Sequence, residues 1–276
     1  MNEIERSLEQ IFENVCLAEL EALKPGNVHI FADGHGMTVG DFAKAARGAA
    51  GEIARVGLTV GQRIDQAIAA SWDLTRMNTN LGIVLLAAPL IQSAQTGVPL
   101  PQVLRALTVE DAALTYRAIQ RANPAGLGKV DMYDVTNKSS KPLCTLFRAM
   151  QVAAGRDRVA FQYVYDYADI YKIGVPAYQR ALAQWNNPIW AITATYLTFL
   201  AELADSHVAR KYGDAVAKNV QEQAVAHLAA LQSCANPKTY LGELLKFDTD
   251  LKQRKVNPGT SADLTVATLL AIELNL

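Results

Sequence analysis

Apolar residues recur at helical spacing along nearly the whole chain, and no segment shows sustained strand alternation bounded by turns. Ile4, Leu8, Ile11, Val15 and Leu20 form a stripe that ends before Pro25. Thr38 with Asp41 reads as a capping box that opens a helix with Phe42, Ala45, Ala49 and Ile53 inward, stopped at Gly57. Thr59 with Gln62 repeats the signal for a helix running to about Thr75. From about Leu81 to Ala94 the chain is apolar on nearly every side, which marks a central, buried helix, with Asn78 or Thr79 able to cap it. Thr108 with Asp111 opens the next, to about Ala122. Further helices are expected over about 143–154, 156–173, 176–184, 188–211, 214–232, 238–250 and 261–274. The pattern predicts an all-α fold, a single compact multi-helix domain over 1–276 with the 81–94 helix buried at its centre. Residues 123–142, rich in Gly, Pro, Asn and Ser, read as an irregular loop and a lid rather than a domain boundary.

Composition narrows the class. Half of the 276 residues are hydrophobic, enough to bury a sizeable core. A net charge of −1 leaves no basic footprint for nucleic acid. The longest apolar run, Leu81 to Ile91, is too short to span a bilayer and contains Pro89, and the charged start Met1-Asn2-Glu3-Ile4-Glu5-Arg6 lacks an apolar signal core. Cys16, Cys144 and Cys234 are scattered and without metal-type spacing; Cys16, in an apolar helical stretch, reads as a small core residue. The expectation is a reduced cytoplasmic protein that binds neither nucleic acid nor membrane.

Chemistry-bearing residues collect at loop–helix junctions. Lys24-Pro25-Gly26-Asn27-Val28-His29, running on to Asp33-Gly34-His35-Gly36-Met37, is kept out of helix by Pro25, Gly26 and Gly34. Lys24 there could meet a phosphate as a mobile charge and His35 could donate a proton near neutral pH; a surface turn with a solvated lysine is the other reading. Asn78-Thr79-Asn80-Leu81-Gly82 begins the apolar helix, and a helix start with short neutral hydrogen-bonders suits an anion as well as a plain cap. Asp205-Ser206-His207-Val208-Ala209-Arg210-Lys211 sits late in a long expected helix, with Ser206 facing Arg210 and His207 facing Lys211 four residues on. One carboxylate beside three basic groups suits a polyphosphate and its metal, or else a solvated helix end. Asn257-Pro258-Gly259-Thr260-Ser261-Ala262-Asp263 precedes the last helix; Thr260 or Ser261 can cap it, and Asp263 either meets the helix dipole or binds magnesium. His227, Trp185 and Trp190 read as packing residues, and Glu19 or Glu21 as carboxylates within reach of Lys24 or a metal.

Taken together, these stretches resemble the triphosphoribosyl-dephospho-CoA synthase family over most of the chain. The Lys-Pro-Gly turn, the Asn-Thr-Asn start, the Asp-Ser pair followed by basic residues and the Gly-rich turn before Ser-Ala-Asp-Leu carry the likeness, and Gly128-Lys129-Val130-Asp131-Met132-Tyr133-Asp134 also matches part of the family. The chain departs where the family has an aspartate: His35 is followed by Gly36 and Met37. The resemblance implies a transferase that moves the triphosphoribosyl group of ATP to the 2′-hydroxyl of 3′-dephospho-CoA and releases adenine, with inversion at the anomeric carbon. It implies Mg2+ as cofactor, held with ATP by Asp205 and Asp263. Lys24, Asn27, Asn78, Thr79, Asn80, Ser206, His207, Arg210, Lys211, Thr260 and Ser261 would contact substrate and phosphate. His35 is then the candidate acid and Asp205 the candidate base or metal ligand. Two alternatives stand beside this: a ribosyl or phosphoribosyl transfer in the making of a tetrahydromethanopterin-type one-carbon carrier, and a non-catalytic helical nucleotide-binding module. In each case the partners are ATP and a small-molecule hydroxyl acceptor, and an even helical surface would permit a homodimer.

Overall fold

The structure is a computed structural model that describes residues 3–124 and 142–276. It is 75% helical, and fourteen α-helices lie among the described residues. The β-type pairing among those residues consists of two isolated bridges, His29 with Ala32 and Gly34 with Met37. The all-α expectation holds. The 123–142 loop and its Gly128–Asp134 motif lie almost wholly outside the described residues. The contacts group the chain into two compact units, each assembled from separate segments.

The first unit comprises Met1–Val15, Asp41–Tyr167 and Leu270–Leu276. It holds most of α1 (Glu3–Glu21), then α2 (Val39–Ala54), α3 (Val60–Thr75), α4 (Leu81–Thr96), α5 (Leu100–Arg105), α6 (Val109–Ala122), α7 (Leu146–Ala153) and α8 (Arg158–Val164). Both capping boxes expected at Thr59–Gln62 and Thr108–Asp111 form. They place α3 against α6 so tightly that a Cβ on Gly61 would lie 2.5 Å from the Asp111 Cα. The same close approach lets Asp111 Oδ1 accept from the Gly61 N–H at 2.8 Å.

Helix α4 is buried along nearly its whole length, as its apolar run requires. Pro89 sits inside it and has no N–H for the carbonyl of Leu85. The hydroxyl of Tyr163 donates to that carbonyl at 2.6 Å, and Tyr167 donates to the next, Leu86, at 2.7 Å. Two fully buried phenols from beyond α7 thus close the break that proline opens.

The second unit comprises Cys16–Gly40 and Ala168–Leu269. Beyond the end of α1 and a long loop, it contains a π-helical turn at Ile170–Gly174, α9 (Val175–Trp185), α10 (Pro188–Glu202), α11 (Ser206–Tyr212), α12 (Asp214–Gln232), a 3₁₀ turn at Pro237–Tyr240, α13 (Leu241–Gln253) and most of α14 (Gly259–Glu273). Its core helix is α10, buried at every position from Trp190 to Ala201 and packed on α9 and α12. The threonines on α10 conceal it in the sequence. Thr195 and Thr198 return their hydroxyls to the carbonyls of Ala191 and Ala194, so polar residues sit in the core without orphaned groups. The chain therefore has a buried helix in each unit, where the pattern predicted one.

Three expectations need correction. The helix expected over 156–173 breaks after Val164, where Asp166 and Tyr167 turn left-handed at φ 52° and 59°. The helix expected over 188–211 ends at Glu202; Leu203 is extended, and Asp205 caps a new helix. Finally, α4 starts at Leu81 with Asn80 in the capping position, so neither Asn78 nor Thr79 caps it. The Asn80 amide instead donates to Ser71 Oγ at 2.9 Å and to the Ala45 carbonyl at 3.4 Å.

Candidate active site

The Lys24–Met37 loop folds as two tight turns. The second, Gly34-His35-Gly36-Met37, closes with paired backbone bonds of 3.2 and 2.9 Å. Its central residues have φ 57° (His35) and 77° (Gly36). Positive φ at both central positions is the type I′ geometry, and it favours glycine at position 36, where the family pattern has aspartate. His35 Nε2 meets the carbonyl of Gly26 at 2.7 Å, so that nitrogen carries the proton. Gly26, at φ 83°, has no room for a side chain: a Cβ would lie 2.8 Å from Pro258 and 2.9 Å from Leu251.

Lys24 is not the mobile surface charge the sequence suggested. It is 0% exposed and pairs with Glu19, itself 3% exposed, at 2.6 Å. Burial pushes the Glu19 carboxyl up and the Lys24 ammonium down, each held back by the other's charge. Lys24 also reaches Asn27 Oδ1 at 3.4 Å, and the Asn27 amide donates to Asn257 Oδ1 at 2.8 Å. Lys24 and Asn27 thus tie the loop to the turn before α14.

Asp248, on α13, anchors the same loop and was missed in the sequence. It accepts from the Gly26 N–H at 2.8 Å, lies 3.2 Å from His29 Nε2 and pairs with Lys252 at 3.1 Å. Burial opposes its ionisation, but His29, the Gly26 N–H and Lys252 together hold it below the ordinary carboxylate range. Burial also lowers His29 against the pull of Asp248. Lys252 donates on to the Ala32 carbonyl at 2.9 Å, and Tyr196 to that of Pro25 at 2.7 Å. The i,i+4 spacing of Asp248 and Lys252 was visible, but nothing local says that they face a loop more than two hundred residues away.

Asp205 lies at the junction of α11 and α14. Its Oδ1 accepts from the N–H groups of His207 (2.9 Å) and Val208 (3.0 Å); its Oδ2 accepts from the Ser261 N–H (2.8 Å) and hydroxyl (2.9 Å). It is 2% exposed. Thr260 Oγ1 accepts a second bond from the His207 N–H at 3.2 Å and lies 3.0 Å from Ser206 Oγ. Asp205, Ser206, Thr260 and Ser261 thus form a buried latch between two helix starts. A carboxylate has about four acceptor positions, and here all four are taken by protein donors.

Around the latch stand His35, His207, Arg210 and Lys211. His35 and His207 act on one another electrostatically; Lys211 acts on both, and Arg210 on His207. Burial lowers both imidazoles, and these cations push the same way, opposed at His207 by Asp205 and at His35 by the Gly26 carbonyl. The ring of His207 rests on Gly259, where a Cβ would fall 2.8 Å from Nδ1. Asp263, just past the first turn of α14, acts electrostatically on Lys24. Among the described residues no group of three or more His, Cys, Asp or Glu is arranged to hold a metal. With its four acceptor positions filled by protein donors, Asp205 does not fit the part of magnesium ligand.

Asn78, Thr79 and Asn80 belong to the first unit. Asn80 is engaged with Ser71, but Thr79 Oγ1 is buried without a hydrogen-bond partner at the start of α4. Lys24, Asn27, His35, the Asp205–Lys211 segment and Thr260–Asp263 all belong to the second unit.

The fold is all-helical, and its second unit gathers basic side chains around two helix starts. The model of CitG, ATP:dephospho-CoA triphosphoribosyl transferase, matches residues 5–276, and the chain belongs to that family of triphosphoribosyl transferases. Its substrates are accordingly ATP and dephospho-CoA. A crystal structure from Archaeoglobus fulgidus, provisionally assigned as a triphosphoribosyl-dephospho-CoA synthase, has the same fold. It superposes with a TM-score of 0.59 at 21% identity, covering 84% of this chain and 97% of that one. No curated protein sequence matches significantly. Among the described residues no helix is long and apolar enough to cross a membrane.

Proposed function

We propose that the second unit holds the triphosphate of Mg-ATP on Arg210 and Lys211, beside His35 and His207, and that the triphosphoribosyl group leaves adenine there for a hydroxyl of 3′-dephospho-CoA. The supporting observation is the cluster of basic groups itself: Arg210, Lys211 and His35 act on His207 and Lys211 acts on His35, while the carboxylate beside them, Asp205, is committed to backbone and serine donors. A triphosphate balances that charge. Mg2+ would come with the ATP and offset its phosphate charge, held by few protein ligands, as this ion commonly is. Departing adenine takes a proton from Nδ1 of His35, protonated once triphosphate is bound, while the Gly26 carbonyl holds the ring in place through Nε2–H. In the first unit, the unpartnered Thr79 hydroxyl at the start of α4 is suited to an anionic group of a substrate.

The test is release of free adenine from Mg-ATP, followed chromatographically with and without 3′-dephospho-CoA, together with the mass gain of the acceptor. Acceptor-dependent adenine release supports the reading. Release only with a pterin-type carrier precursor would move the acceptor assignment, and ATP binding without release would leave a nucleotide-binding module.

A further inference from the structure

Three of the four histidines in the chain use a ring nitrogen on a partner inside the protein. His29 lies against Asp248 and accepts from the Phe31 N–H, His35 meets the Gly26 carbonyl, and His227 meets the Tyr240 hydroxyl. His207 differs: among the described residues neither of its ring nitrogens has a hydrogen-bond partner. Its main chain is nonetheless fixed by two acceptors, Asp205 Oδ1 and Thr260 Oγ1. Its ring position is set by Gly259, the one residue type that leaves the ring its place there. A half-buried ring, rigidly carried and with both nitrogens unengaged by the described residues, is placed to meet a ligand.

We infer that His207 is the general base that takes the proton from the acceptor hydroxyl, and that the Asp205 latch and Gly259 are its positioning residues. This rests on the triphosphoribosyl-transfer reading above. In the step, the acceptor oxygen gives its proton to a ring nitrogen of His207 and bonds to the anomeric carbon. The carbon–nitrogen bond to adenine breaks with its electron pair on adenine, which takes up one proton from Nδ1 of His35 in its imidazolium form, the form that bound triphosphate favours; Nε2–H stays on the Gly26 carbonyl and protons balance. The charged groups facing His207 are Asp205, Arg210 and Lys211 on its own helix and His35 from the loop. The cations keep the free imidazole neutral and able to accept, and bound triphosphate offsets them once the substrate is in place. Asp205 cannot take this part while its lone pairs hold four donors, and His35 already donates through Nε2.

The experiment uses the full chain with Mg-ATP and 3′-dephospho-CoA, reading adenine release from about pH 5 to 9. His207→Gln should lower kcat by about 10²- to 10⁴-fold, leave the KM for ATP within a few-fold, and erase the acidic limb of the kcat/KM profile. In His207→Ala, added imidazole should restore part of the rate, rising with the free-base fraction. Gly259→Ala, whose methyl group displaces the ring, should lower kcat with little change in melting temperature. An acidic limb kept in His207→Gln, or no imidazole rescue in a folded His207→Ala, overturns the assignment. Absence of adenine release from the wild type, by contrast, overturns the transfer reading itself.

Discussion

Asparagine at position 205 would keep the shape of the side chain and remove two of its acceptor positions. In the latch, whichever way the amide turns, its NH₂ group faces two donors: the N–H groups of His207 and Val208, or the N–H and hydroxyl of Ser261. Hydrogen bonds to a charged group contribute about 1.5–3 kcal/mol each. Losing two, with their donors left buried, should destabilise the fold by roughly 3–5 kcal/mol. For a chain of this size each kcal/mol moves the melting temperature by about 2–4 °C, so the shift should be on the order of 10 °C. The assay is urea and thermal unfolding of Asp205→Asn, Ser261→Ala and the double variant, with adenine release measured well below the melting range. The single variants should both unfold early, and the double-mutant cycle should show coupling, because the two residues share bonds. Were Asp205 the base or metal ligand that the family resemblance implies, the loss would fall on turnover rather than on the fold. An Asp205→Asn protein that melts within about a degree of wild type yet releases no adenine would restore the carboxylate to the chemistry and refute the latch.

Lys24→Met should destabilise by about 3–5 kcal/mol, since it strands the buried Glu19 carboxylate, while adding Glu19→Gln should recover much of the loss; paired denaturant titrations check both. Tyr163→Phe orphans the Leu85 carbonyl and should cost about 1–3 kcal/mol, and less in a Pro89→Ala background where an N–H returns; the four-member unfolding cycle decides. Stability should fall on acidification in two stages. His29 is lowered in the folded protein, so its contribution is full above the unfolded value of ~6.5 and declines below it, whereas Asp248, also lowered, adds its loss only below the ordinary carboxylate range. Melting curves against pH for wild type and His29→Asn should differ mainly in the first stage; identical curves would remove His29 from the account.

Local signals were sufficient where the physics is local. Thr59–Gln62 and Thr108–Asp111 form the boxes their spacing predicts, because both partners lie within one turn. The apolar run of α4 could only be buried, and Pro25, Gly26 and Gly34 could only make a loop. α10 was legible as a helix within 188–211, but its burial on every side was not, because its threonines enter the core by bonding carbonyls one turn back.

The sequence by itself determined the helical class, the family and which stretches carry polar chemistry, because helix periodicity, caps and turn residues act over a few positions. Only the tertiary structure decided what those polar residues do. Lys24 became half of a buried ion pair, Asp205 a double helix cap, and Ser261 and Thr260 its donor and companion acceptor. Asp248 became the anchor of a loop far from it in sequence, and His207 the histidine whose ring nitrogens no described residue engages. Hydrogen-bond capacity is a property of a side chain, but whether that capacity is filled depends on the donors that distant segments bring within about 3 Å. That proximity comes from packing the helices, which no local pattern contains.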